Sequence, residues 1–196
     1  MIDWPVAAGN LFVGTSLVAL LVAPVSGAAT PATGLSRRTL VATIVGLIAL
    51  ACVLGFGWRS VPGGPLAALT GPLALTVGVW ALRQIGRLIG SAMTDDLGAA
   101  LAGLAVAVSL TIGPFALGPG LDGLSAGQSA RLLMANPLVT ATNAAGIDLL
   151  HLDLVYQLSP LAHRGVALPS WMALSLSYAL VGLAALGSSR FLPRSR

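Results

Sequence analysis

The stretch Ser125–Arg164, SAGQSARLLMANPLVTATNAAGIDLLHLDLVYQLSPLAHR, is the densest run of polar groups in an otherwise very apolar chain. One apolar run of membrane-spanning length precedes it, Leu97–Leu117, and another follows, Trp171–Leu186. A half-polar segment held between two such runs must lie on a bilayer surface or dip into it. Lipid-facing irregular backbone is not tolerated in hydrocarbon, so a segment of this kind needs protein behind it. Inside the stretch, Asn136-Pro137 is a break. Pro137 lacks an amide donor and drives the residue before it out of helical geometry. The spacing predicts two helices, Ser125–Ala135 and Leu138–Leu158. The second has an apolar stripe of Ile147, Leu150, Leu154 and Leu158, which is to pack inward on the flanking spans.

Composition places the whole chain in the same setting. Of its 196 residues 56% are hydrophobic and 8% charged, and the mean hydropathy is +0.92. A soluble domain carries about 25% charged residues, so the solvent here is largely lipid. The length suits one domain, residues 1–196. The net charge of +4 comes from arginines scattered between apolar runs. They form no basic stripe with interleaved aromatics, so nucleic acid is not an expected partner. Cys52 is a lone cysteine within an apolar run, which leaves no intrachain disulfide.

Five runs approach the roughly 20 residues needed to cross about 30 Å of hydrocarbon: 9–28, 39–56, 66–88, 97–117 and 171–186. Ser26-Gly27-Ala28 resembles a signal-peptide cleavage site. No Arg or Lys precedes that run, however, so it is read as a retained span. Val61-Pro62-Gly63-Gly64-Pro65 is strong turn chemistry between the second and third runs. Gly86 and Gly90 form a small-xxx-small pair, which allows close approach of two helices and equally suits an incidental glycine pair. Thr94-Asp95-Asp96 supplies an N-cap and favourable charge for the fourth helix. Arginine asymmetry sets the orientation. With five spans, Arg37, Arg38, Arg83, Arg87, Arg190, Arg194 and Arg196 share one side, read as cytoplasmic. The N-terminus and the 125–164 segment then lie outside a plasma or inner membrane.

Chemistry-bearing motifs are few. Asp148 and His151, three residues apart, share a helical face and are read as an extracytoplasmic polar pair. Asp153 lies on the opposite face, five steps of about 100° from Asp148, so one helix does not aim all three at one ion. No phosphate loop, zinc motif or nucleophile elbow occurs. The expectation is a chain without catalytic, metal or cofactor-binding residues.

Several short segments carry a resemblance. RLIGSAM (87–93) is followed by DLGAA (96–100), which opens a span ending in IGPFALG (112–118). LMANPLV (133–139), YQLSP (156–160) and PSW (169–171) follow in order. Over about residues 81–187 this resembles the end of ABC-2-type transporter permeases. The resemblance implies a pair of short extracellular helices between the last two spans and a cytoplasmic C-terminus. It also implies a separate ATPase subunit and a second membrane subunit as partners, with Arg37 and Arg38 nearest the ATPase. The N-terminal half departs from the family, which has six spans and an acidic segment near that arginine pair. The other reading is an accessory subunit of a larger membrane complex with no transport path of its own.

Overall fold

A computed structural model of the chain describes residues 4–29, 64–116, 123–149 and 170–191. Among the described residues all regular structure is helical. In chain order these are α1 (Trp4–Ala28), α2 (Gly64–Ala92), α3 (Asp96–Thr111), α4 (Gly113–Ala116), α5 (Ala126–Met134), α6 (Pro137–Ala144) and α7 (Trp171–Phe191). Three of them, Gly9–Ala28 within α1, Leu66–Ala92 within α2 and all of α7, are long and apolar enough to cross a membrane. Their outward faces carry Val18, Val22, Leu66, Leu69, Leu73, Leu176 and Leu180, all more than half exposed. That is the surface of a membrane protein, since lipid tails accept leucine as readily as a core does. The run expected at 39–56 lies outside the described residues.

With lipid as apolar as leucine, helices associate through close packing rather than through hiding apolar surface. The fold is accordingly built on small residues. Leu20 meets Gly78, Pro24 meets Gly86, and Ala28 meets Gly90. Both numbers rise together, so α1 and α2 run parallel. The last two contacts are backbone to backbone: a Cβ on Gly90 would stand 2.8 Å from the Ala28 carbonyl oxygen. Gly27 in turn lies against the Arg83 carbonyl. The Gly86/Gly90 pair is therefore a working helix crossing rather than an incidental one. Pro24 interrupts α1 and forfeits one helical hydrogen bond. Its ring and carbonyl fit between Gly86 of α2 and Gly103 of α3, whose added Cβ would be 3.3 Å from Pro24 Cβ.

After α2 the chain turns tightly. Asp95 caps α3, its carboxylate accepting from the amides of Leu97 at 3.2 Å and Gly98 at 2.6 Å. Since Gly86 and Gly103 share Pro24, α3 runs antiparallel to α2. The span expected over 97–117 is not one helix. α3 stops at Thr111 after 16 residues, about 24 Å of rise, and the short α4 follows it. Gly113-Pro114 is the local cause: Pro114 cannot donate back into α3.

The break at Asn136-Pro137 is present. α5 starts with a reciprocal box, Gln128 N donating to Ser125 Oγ at 3.3 Å and Ser125 N to Gln128 Oε1 at 2.8 Å. α6 opens with Asn136 as cap and Pro137 in its first turn. However, the helix expected over 138–158 ends at Ala144. Gly146 takes a left-handed φ of 69°. Gly146 N donates to Asn143 O at 3.1 Å and Ile147 N to Thr142 O at 2.9 Å, which closes the helix with a Schellman motif. Ile147 and Leu149 still pack inward, now from beyond the end of α6. Leu154 and Leu158 lie outside the described residues.

α6 lies antiparallel along the first half of α2. Pro137 meets Gly78, and a Cβ on Gly71 would come within 2.6 Å of Ala145 Cβ. Thr70 Oγ1 donates to the Ala144 carbonyl at 2.6 Å, fastening the far end. α7 packs chiefly on α2, with the Trp80 ring against Gly182. It runs to Phe191, five residues beyond the expected end at 186.

Candidate functional site

α3 and α6 both run against α2 in the same direction, one after the other. α3 accompanies α2 from its C-terminal end to about Gly78, and α6 continues from Gly78 to Thr70. Together they supply 16 and 8 residues, about 36 Å of rise, in two pieces from distant parts of the chain. The pieces meet at the middle of α2. A broken helix pair leaves carbonyls at the end of one half and amides at the start of the other, and both need partners when buried.

Asn136 serves both halves. Its side-chain amide Nδ2 donates to the Thr111 carbonyl, the last of α3, at 2.9 Å. Its Oδ1 accepts from Leu138 N at 2.9 Å and Val139 N at 3.4 Å, the first amides of α6. One buried residue thus closes the C-terminus of one helix and the N-terminus of the other. Around it Thr111 Oγ1 donates to Ala107 O at 2.6 Å, Thr140 Oγ1 to Asn136 O at 3.3 Å and Thr142 Oγ1 to Leu138 O at 3.0 Å. Asn136, Thr111, Thr140 and Thr142 are all fully buried. Tyr178 of α7 reaches in, its hydroxyl donating to the Met134 carbonyl at 3.1 Å and lying beside Thr140. This polar knot ties α3, α5, α6 and α7 together around buried side chains.

Beside the knot is an open-sided cleft of about 280 Å³. α3 and α7 each pack on α2 but scarcely on one another, and the cleft is the gap left between them. Ala81 and Ile85 of α2 line its depth, with Leu110 of α3 on one side and Tyr178 and Val181 of α7 on the other. Met134 and Ala135 bound it next to Asn136. The lining is almost wholly apolar. Its two hydroxyls are committed elsewhere, Tyr178 to Met134 O and Ser177 to Ala173 O at 3.0 Å.

No family model, curated protein or solved structure matches this chain.

Of the residues singled out in the sequence, Asp148 is exposed at the end of the stretch following α6. His151, Arg37 and Arg38 lie outside the described residues, as does Asp153, so the Asp148–His151 pairing does too. Among the described residues no three His, Cys, Asp or Glu side chains cluster. Asn136, Thr111 and Tyr178 are the residues that sequence reasoning passed over. Asn-Pro was read only as a helix stop. It is also a start signal, since Asn is a strong N-cap and Pro is favoured at the first helical position. Nothing local ties Thr111 to Asn136, which are 25 residues apart.

Proposed function

We propose that this chain is the membrane-spanning, permease-like subunit of an ABC-2-type export system, working with a separate ATPase subunit and a second membrane subunit. The observation that carries the reading is the pair α5 and α6, split at Asn136-Pro137 and held against α2 ahead of the last long helix. A short helix pair between the last two spans is what the resemblance over residues 81–187 implies. Half-helices that meet at the middle of a bundle are also where transporters build their cargo sites. The pair is re-entrant in this reading, and the α3–α6 composite serves as one crossing.

The parallel course of α1 and α2 supports the five-span count. Ala28 lies beside Gly90, while α2 opens at Gly64, about 39 Å of helix away. The two ends of the 29–64 connection are thus a bilayer's thickness apart, which favours a return crossing over 39–56. On this count the N-terminus and residue 127 are outside and the C-terminus is cytoplasmic. In a Cys52→Ser background, cysteines at Gly34, Met93 and Ser195 are expected to react only from the cytoplasm. Those at Pro62 and Gly127 should react only from outside. Labelling of Gly127 and Ser195 from the same side would sink the five-span topology.

The partner test is separate. Gentle purification of the full chain from its own membranes is expected to bring down an ATPase subunit. Arg37→Glu combined with Arg38→Glu is expected to weaken that association several-fold. Recovery of other membrane subunits with no ATPase would overturn the exporter reading in favour of an accessory subunit.

A further inference from the structure

We propose that Arg83, Gln84 and Arg87 of α2 form a binding site for a phosphate group, carried on a lipid headgroup or free in solution. Arg83 and Arg87 are one helical turn apart, and both are only partly exposed. The charge that acts on Arg83 is that of Arg87, another cation. Arg87 Nη1 donates to Gln84 Oε1 at 3.4 Å. Gln84 is 2% exposed, and this bond engages its side-chain acceptor. Its NH2 group, on the same carbon as that oxygen, donates to no described residue. Arginine has donors only, so the cluster does not satisfy itself. Like charges at this spacing repel, and a buried donor without an acceptor is unfavourable. A phosphate oxyanion answers both, because it accepts several charge-assisted hydrogen bonds at once.

The described carboxylates do not take that role. Asp95 is committed to the amides of Leu97 and Gly98. Gly103 and Gly86 are level at Pro24, which puts Asp96 about 15 Å from Arg83 along the helix axes. Ala145, three residues before Asp148, is level with Gly71, about 18 Å from Arg83. Residues 30–63 contain no Asp or Glu, so that connection brings no carboxylate wherever it runs. Depth favours phosphate. The apolar stretch of α2, Leu66–Ala92, is centred near Val79. Arg83 and Arg87 are about 6 and 12 Å beyond that point, against about 15 Å for half the hydrocarbon thickness. Their long stems can carry the guanidinium groups to the headgroup level, where basic pockets on membrane helices take acidic headgroups. Neither arginine is in the last turn of α2, so attraction to the terminal carbonyls, which fades within a turn, does not account for them. This inference stands apart from export: it requires no ATPase and holds equally for an accessory subunit.

The test uses the full chain in phosphatidylcholine nanodiscs, with phosphatidic acid or inorganic phosphate added separately. Native mass spectrometry reads retained phosphatidic acid, and equilibrium dialysis reads radiolabelled inorganic phosphate. Phosphatidic acid that excess inorganic phosphate does not displace assigns the site to lipid. Binding of inorganic phosphate in the neutral discs assigns it to a soluble anion. Arg83→Gln is expected to weaken binding several-fold. Gln84→Glu is expected to abolish it in a folded chain, since the new carboxylate gives both arginines an internal counter-ion. A folding failure of Arg83→Gln therefore does not decide the result. Arg131→Gln, which removes an exposed arginine at the end of α5, is expected to change nothing. Binding of neither probe would overturn the proposal, as would wild-type binding by Gln84→Glu. A loss in Arg131→Gln equal to that in Arg83→Gln would overturn it too, because the attraction would then be general. So would a gain in binding on Asp122→Asn or Asp153→Asn, which would mean that a carboxylate of the chain already holds the cluster.

Discussion

Gly86→Leu is expected to detach α1 from the bundle. The side chain would begin where Pro24 already is: an added Cβ would lie against the Pro24 carbonyl oxygen, 2.6 Å from its Cα and 2.7 Å from its carbonyl carbon. These are backbone atoms, so no rotamer change relieves the clash. α1 must move, and the movement also separates Ala28 from Gly90, Gly27 from the Arg83 carbonyl and Pro24 from Gly103. Overpacking a side-chain core costs about 1–3 kcal/mol. Here several close approaches fail at once, and a loss of about 3 kcal/mol or more is expected from unfolding equilibria in bicelles. Gly14→Ala is the matched control. Gly14 is exposed on α1, with nothing within 4 Å of an added Cβ. It should be neutral or gain up to about 1 kcal/mol from the helix propensity of alanine. A Gly86→Leu protein as stable as Gly14→Ala would show that the α1–α2 crossing is wrong.

Asn136→Ala is expected to cost about 2–5 kcal/mol. Loss of the α6 cap accounts for about 0.5–2 kcal/mol. Depriving the buried Thr111 carbonyl of its donor accounts for about 1–3 kcal/mol more. Asn136→Ser separates the two effects. A serine hydroxyl can still cap α6, but it is too short to bridge to α3. Its expected loss is therefore intermediate. Asn136→Ala within about 0.5 kcal/mol of wild type, the range of surface substitutions, would mean that the joint contributes little.

The local punctuation of this chain was legible, though not all of it was read. Ser125 with Gln128, Asp95 before α3 and Ser170 before α7 are start signals that act as their side-chain chemistry dictates. Asn136-Pro137 broke the helix where proline geometry requires. The stop at Gly146 was equally local and was missed. The apolar spacing of Ile147, Leu150 and Leu154 suggested a helix continuing through it, and a glycine in left-handed conformation outweighed that periodicity. The same over-extension affected 97–117, where hydropathy ran on past Gly113-Pro114.

What the amino-acid sequence determined by itself is the solvent and the class. So little charge and so many long apolar runs require helices in lipid, because only helices satisfy their own backbone there. It did not determine which faces meet. In water, a helix shows its buried side as an apolar stripe. In α1, α3 and α7 the lipid side and the core side are equally apolar, so no stripe exists to be read. The choice falls to fit: where a glycine admits a backbone, as Gly86 admits Pro24, and where a buried polar group finds a partner far along the chain, as Asn136 finds Thr111. Both depend on atoms brought together from separate segments, so only the tertiary structure decided that α3 and α6 share one crossing and leave a cleft beside it.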